Sequence, residues 1–203
     1  MQSIHQQILT IIHSFEQGKI FFPEQFGHIG SNESIRQALS RICKDGIIIR
    51  LSKGVYLYPV IDNELGVMYP SVDTVAKAIA QRDKARIIPT GAYALNQLGL
   101  STQVPMNVVY LTDGIPRKIS IGKQTITFKQ TAPKNFSFKS EVTPLVVSAL
   151  KEIGRNLITD SDLAQIQKIL LVEAKEIIIS DAYIAPQWIT DIILSLINES
   201  ENE

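Results

Sequence analysis

The 203-residue sequence predicts an α+β fold in two parts. Three observations carry the prediction. Apolar residues recur at helical spacing in 3–16 and again in 31–44. A pair of strand-like runs follows, closed by the tight turn Ser52-Lys53-Gly54. Beyond them, short strands between 86 and 130 give way to a run of helices between 143 and 197.

The elements follow in order. Residues 3–16 form an amphipathic helix with Ile4, Ile8, Ile11, Ile12 and Phe15 on one face, Ser3 as N-cap and Gly18 as its stop. Pro23 opens a short second helix that ends near Gly27. Ser31 or Asn32 caps a third, with Ile35, Ala38, Leu39 and Ile42 as its buried stripe and Asp45-Gly46 as its end. Strands are expected at Ile47–Leu51 and Val55–Tyr58, ended by Pro59. Helix, short helix, helix, hairpin is the order and size of a winged helix-turn-helix, assigned to residues 1–60.

The polar turn Asp62 to Gly66 marks a boundary, and residues 67–203 are read as a larger mixed α+β domain with a helical C-terminal part. Its expected elements are a helix from Pro70-Ser71, a strand Arg86–Pro89, a small-residue helix Gly91–Leu98 and a strand Asn107–Leu111. A hairpin of Lys118–Ile121 and Thr125–Gln130 follows about Gly122-Lys123. Three helices trail: from Thr143 or Pro144 to Ile153, from Asp160 to about Leu171, and from Pro186 to Ile197. The tail Asn198–Glu203 is expected to fray.

Composition narrows the functional classes. No apolar run approaches the roughly 20 residues that span a bilayer. No basic segment leads into an apolar one at the N-terminus, so a cytoplasmic location is expected. The single cysteine, Cys43, excludes an intrachain disulfide and a cysteine-based metal site. Net charge is zero, yet segments 1–58, 59–140 and 141–203 carry +2, +5 and −7. The first two can meet a polyanion; the last would repel one. An asymmetric solvated surface would give the same partition.

The third helix carries the candidate binding residues. Its outward face shows Glu33, Ser34, Arg36, Gln37, Ser40, Arg41 and Lys44. Arginine pairs bidentately with guanine and glutamine with adenine, while serine, arginine and lysine also contact phosphate. Arg36, Gln37 and Ser40, toward its N-terminal half, are the first choices as base readers. The hairpin adds Arg50 and Lys53, each placed to neutralise a phosphate, and each contact steepens the salt dependence by roughly one unit. Tyr56 and Tyr58 either pack or touch phosphate, with packing the simpler role. Arg117, Lys118 and Lys123, around the later hairpin, either extend a phosphate-binding surface or are solvated. The ordinary alternative for all of these is a solvated helix face and an edge hairpin.

Three stretches together carry a family resemblance: "SIRQALSRICKDGIIIRLSKGVYLYP", "YPSVDTVAKAIAQRDKARIIPTGAYALNQLGLSTQVP" and "VYLTDGIPRKISIG". They resemble the AbiEi-like group of bacterial antitoxins and transcriptional regulators of type IV toxin–antitoxin systems, over about residues 5–197. The resemblance implies a winged helix that binds double-stranded DNA at its own promoter region and represses its operon. It implies a C-terminal domain that counters a nucleotidyltransferase-like toxin without a stable complex between the two proteins. This chain's C-terminal region is more compact than in the better-studied members.

Signs of catalysis are few. His5 and His13 share one face of the first helix, but no acid or cysteine completes a metal set, and His28 stands apart. Thr90-Gly91 before a helix is not a Gly-rich phosphate loop, and its small residues suit close packing. Asp113 is a turn residue, Cys43 a small hydrophobe beside the buried stripe, and Trp188 a packing anchor. No enzyme, cofactor or membrane contact is expected. Paired half-sites are open to dimers or to cooperating monomers. The alternative is an interaction module that keeps the winged fold without binding DNA. Its acidic last third, with Glu173, Glu176, Asp181 and Asp191, would then meet a basic partner.

Overall fold

A computed structural model describes residues 2–199 and shows an α+β chain. It divides into two compact units. One holds the described residues up to Ile79 together with Ile119–Lys123; the other holds Ala80–Lys118 and the residues from Gln124 onward.

The first unit starts with α1 (Ile4–His13), capped by Ser3 in a reciprocal capping box with Gln6. It ends three residues before the sequence pattern does. Ser14 and Phe15 close back onto Ile11 and Ile12 in i→i+3 bonds, which tighten the last turn. A two-residue strand, β1 (Ile20–Phe21), then appears where the sequence shows only an apolar run. It exists because β3 (Val55–Leu57) pairs with it, Ile20 opposite Leu57 and Phe21 opposite Tyr56. The expected second helix is a single 3₁₀ turn, Pro23–Phe26. Next comes α2 (Asn32–Lys44), then β2 (Ile49–Ser52), antiparallel to β3. The sheet order is β1–β3–β2.

Ile8 and Ile12 of α1, Phe21, Phe26, and the Ile35, Leu39 and Ile42 stripe of α2 bury together in this unit's core. Phe21 meets Phe26 edge-on at 5.9 Å and stacks on Tyr56 at 5.7 Å. The polar stretch after Pro59 is a hairpin of its own, β4 (Val60–Asp62) and β5 (Gly66–Met68). Asp62 builds its turn by accepting the backbone N–H groups of Glu64 and Leu65, both at 2.8 Å. Those two bonds hold the Asp62 carboxyl below its ordinary range. Helix α3 (Val72–Asp83) follows.

In the second unit β6 (Ile87–Thr90) runs antiparallel to β7 (Asn107–Thr112), with α4 (Ala92–Gln97) between them in sequence. After β8 (Arg117–Ile121) the chain turns at Gly122 into β9 (Gln124–Gln130), which lies parallel to β7. A 3₁₀ turn, Pro133–Phe136, leads to α5 (Thr143–Ile153), α6 (Asp160–Leu170), α7 (Lys175–Ala182) and α8 (Gln187–Glu199). Their apolar faces share one core, with Val146, Leu150, Ile166, Ile178, Ile189 and Ile193 buried and Trp188 packed against it. Of the tail expected to fray, Asn198 is helical; residues 200–203 lie outside the described ones.

Helix α7 has no counterpart in the sequence reading. Its Asp181 is fully buried and accepts backbone N–H groups from Lys139 at 3.0 and 2.9 Å and from Ser140 at 2.7 Å. The place given to Asp181 in an outward acidic surface is therefore corrected: its charge is spent inside the fold. Ser140 in turn accepts the N–H groups of Val142 and Thr143 and opens α5.

Candidate nucleic-acid interface

Helix α2 is fixed at both ends by its sequence. The Ser31 hydroxyl accepts the N–H of Ser34 at 3.3 Å. At the other end Gly46, at φ +74°, sends its N–H to Cys43, and Ile47 sends its own to Ile42, a paired closure that suits glycine. Gly30 lets the chain enter the helix closely. A Cβ there would lie 2.8 Å from the Ile4 side chain and 3.0 Å from the Ser34 hydroxyl.

At about 100° per residue, the outward face of α2 has a clear order. Ser40, Glu33, Lys44 and Gln37 occupy its middle. Arg41 and Ser34 stand on one edge, Arg36 and the half-buried Cys43 on the other. Arg36, Gln37, Ser40, Arg41 and Lys44 are all exposed. Ser34 is not free as the sequence reading has it. Its hydroxyl donates to the Ser31 carbonyl at 2.8 Å and is spent on the helix start. Gln37 donates to Glu33 at 3.1 Å, an i,i+4 pair worth about 0.2–0.5 kcal/mol that a base contact must displace.

The hairpin β2–β3 brings a cation toward that helix. Tyr56 is the cross-strand partner of Phe21 on one side and of Arg50 on the other, so the three side chains form one row across β1, β3 and β2 on one sheet face. Phe21 and Tyr56 belong to the core shared with α2, so this is the face turned toward α2. Arg50 ends the row, exposed, with its Nε donating to the Ser52 carbonyl at 3.3 Å. The register shifts by one between Arg50 and Ser52, a bulge just before the turn. Lys53 is exposed at the turn itself, where Gly54 takes φ +73°.

Tyr56 is 4% exposed and packs in the core, and Tyr58 packs partly against it, so packing is the role of both. Burial pushes the Tyr56 hydroxyl up, opposed by Arg50, helped by Cys43 and opposed again by Arg36. Burial likewise pushes the Cys43 thiol up, against the pull of Arg50.

Among the described residues, Arg36, Arg41, Lys44, Arg50 and Lys53 meet no carboxylate. The three second-tier cations behave differently from one another. Arg117 is paired with Asp83, which Arg82 also holds at 2.8 Å. The guanidinium is occupied and only 19% exposed, which argues against a free phosphate contact there. Lys118 and Lys123 are exposed.

The family described as "Family of unknown function (DUF6088)" matches residues 7–178. The chain belongs to DUF6088. The matched span begins inside α1 and ends inside α7, so it takes in all of α2, the β2–β3 hairpin and β8. Outside the DUF6088 span lie the end of α7 and α8. No curated protein matches the chain. Among the described residues, no group of three His, Cys, Asp or Glu could hold a metal ion, and no helix is long and apolar enough to cross a membrane.

Proposed function

We propose that the chain is a cytoplasmic, non-catalytic DNA-binding regulator whose N-terminal unit works as a winged helix-turn-helix. One observation carries this reading. Five exposed cations without carboxylate partners lie on α2 and on the hairpin that follows it, Arg36, Arg41, Lys44, Arg50 and Lys53. The order helix, strand, turn, helix, two-stranded wing supports it. In this reading α2 enters the major groove of double-stranded DNA and the hairpin holds the backbone. The resemblance to the AbiEi-like group extends the proposal: autorepression at the promoter region, and antitoxin action against a nucleotidyltransferase-like toxin without a stable complex.

A gel shift tests the regulator. The DNA upstream of the protein's own gene should bind on the order of a thousandfold tighter than a scrambled duplex of equal composition. Equal binding to both would remove the sequence-specific regulator. Co-expression with a neighbouring nucleotidyltransferase-like protein tests the antitoxin: growth should be rescued while the two proteins fail to co-purify.

A second reading has its own observation. Leu171 at 54% and Val172 at 82% stand exposed just before Glu173 and Glu176 in sequence, and Tyr183 at 69% follows in the same last third. Exposed apolar side chains beside acidic ones suit a basic protein partner. Retention of all function after neutralising the five cations would favour this interaction module.

A further inference from the structure

The proposed DNA contact can be sharpened on α2 itself, at its one carboxylate. Glu33 is the second residue of the helix, and the other charged residues between Asn32 and Lys44 are the cations Arg36, Arg41 and Lys44. Glu33 lies in the middle of the outward face with Gln37, and both are exposed. Gln37 Nε2 donates to Glu33 Oε1 at 3.1 Å, so the next turn of the helix braces the carboxylate. Among the described residues, Oε2 takes part in no hydrogen bond or ion pair. The pair therefore presents a held carboxylate with one oxygen unspent.

The helix dipole favours an acid in the first turn, which accounts for the place of Glu33 along the helix. Its chemistry decides what it can meet. A recognition helix in the major groove puts its N-terminal residues against base edges. A carboxylate there is repelled by every phosphate and has only acceptors to offer. Its favourable partners in that groove are the exocyclic amines of cytosine and adenine. Adenine carries the N7 acceptor beside its amine, whereas cytosine presents its N4 amine alone. Resting on the regulator reading above, we propose that Glu33 reads one cytosine of the bound DNA, accepting an N4 hydrogen on Oε2 while Gln37 holds Oε1. Base choice on α2 then rests on an acid as well as on the cations and amides around it.

Selection from a randomised duplex pool by the full chain tests this. Wild type should enrich a site in which one position is held as cytosine. E33Q replaces the acid with an amide, which pairs bidentately with adenine. It should turn that cytosine into adenine and leave the other positions alone. E33A should lose roughly 5- to 150-fold of the preference at that position, with no new base in its place. Q37A, which removes the brace, should weaken the same preference. On a random-sequence duplex E33A should bind at least as tightly as wild type, because a charge that phosphates repel is gone. Thermal melts of the variants should stay within about 4 °C of wild type, since both side chains are exposed. An unchanged base profile in E33Q and E33A overturns Glu33 as a base reader and leaves the DNA reading in place. So does uniform weakening of E33A on every duplex, or a Q37A change confined to a different position. A wild type that enriches no sequence removes the sequence-specific regulator itself.

Discussion

The cations on α2 and the β2–β3 hairpin of the first unit and the arginines of the second face opposite circumstances. On α2 and the β2–β3 hairpin, Arg36, Arg41, Lys44, Arg50 and Lys53 stand in solvent with no carboxylate beside them. In the second unit Arg82 and Arg117 both hold Asp83, and Arg86 holds Asp113 at 2.8 Å while reaching the Phe136 carbonyl at 2.9 Å. Segment 59–140 carries the larger positive charge, +5 against +2. Its arginines nonetheless serve the fold. Part of the positive charge counted along segment 59–140 is thus held inside the fold, while Lys118 and Lys123 remain exposed.

The comparison is broken or sharpened most strongly at Asp83. Its side chain is 16% exposed between guanidiniums that are 18% and 19% exposed. Asp83→Ala removes the one carboxylate that both half-buried guanidiniums meet in common and should cost about 3 kcal/mol in urea unfolding. Neutralising any one of the five first-unit cations should change stability by no more than about 0.5 kcal/mol. A large loss there would mean that those cations, too, hold the fold together.

Gln37→Ala comes next. It should narrow the gap between cognate and scrambled DNA by about 1–3 kcal/mol, read from competition gel shifts, and leave the salt slope alone. Lys53→Ala should do the reverse: a slope lower by about 0.9 and equal weakening on every sequence. The smallest effect is at Asp113. Burial pushes its carboxyl up, but the Arg86 backbone N–H, the Arg86 side-chain hydrogen bond and its charge outweigh that and hold it below the ordinary carboxylate range. A lowered folded value gives stability that is present above the unfolded value of about 3.9 and is lost as pH falls through the folded one. Asp113→Asn should flatten stability against pH in that acid range and nowhere else, as followed by thermal melts.

The sequence made the local part of this structure legible. Period and caps place α2 within a residue, because Ser31, the Ile35–Ile42 stripe and Gly46 all act within the helix itself. The turn at Lys53-Gly54 is equally local. What depends on distant partners is not readable along the chain. Strand β1 is two residues long and exists only through β3. Helix α7 has Asp181 turned inward because Lys139 and Ser140, some forty residues earlier, present unpaired N–H groups to it. Arg117 looks as available as Lys118 until Asp83 is seen beside it. At the candidate site, spacing names the cations. The placing of Arg50 on the α2-facing side needs the register Phe21–Tyr56–Arg50, which only the folded sheet supplies.

The central claim is that unpaired cations on α2 and the hairpin form a DNA-binding surface. Fluorescence anisotropy of a labelled duplex from the upstream region tests it most directly, comparing wild type with a variant in which Arg36, Arg41, Lys44, Arg50 and Lys53 are all Ala. The account predicts tight, salt-sensitive binding by wild type, and a folded variant that retains neither the affinity nor the slope. Equal affinity and equal slope for the two proteins would contradict it.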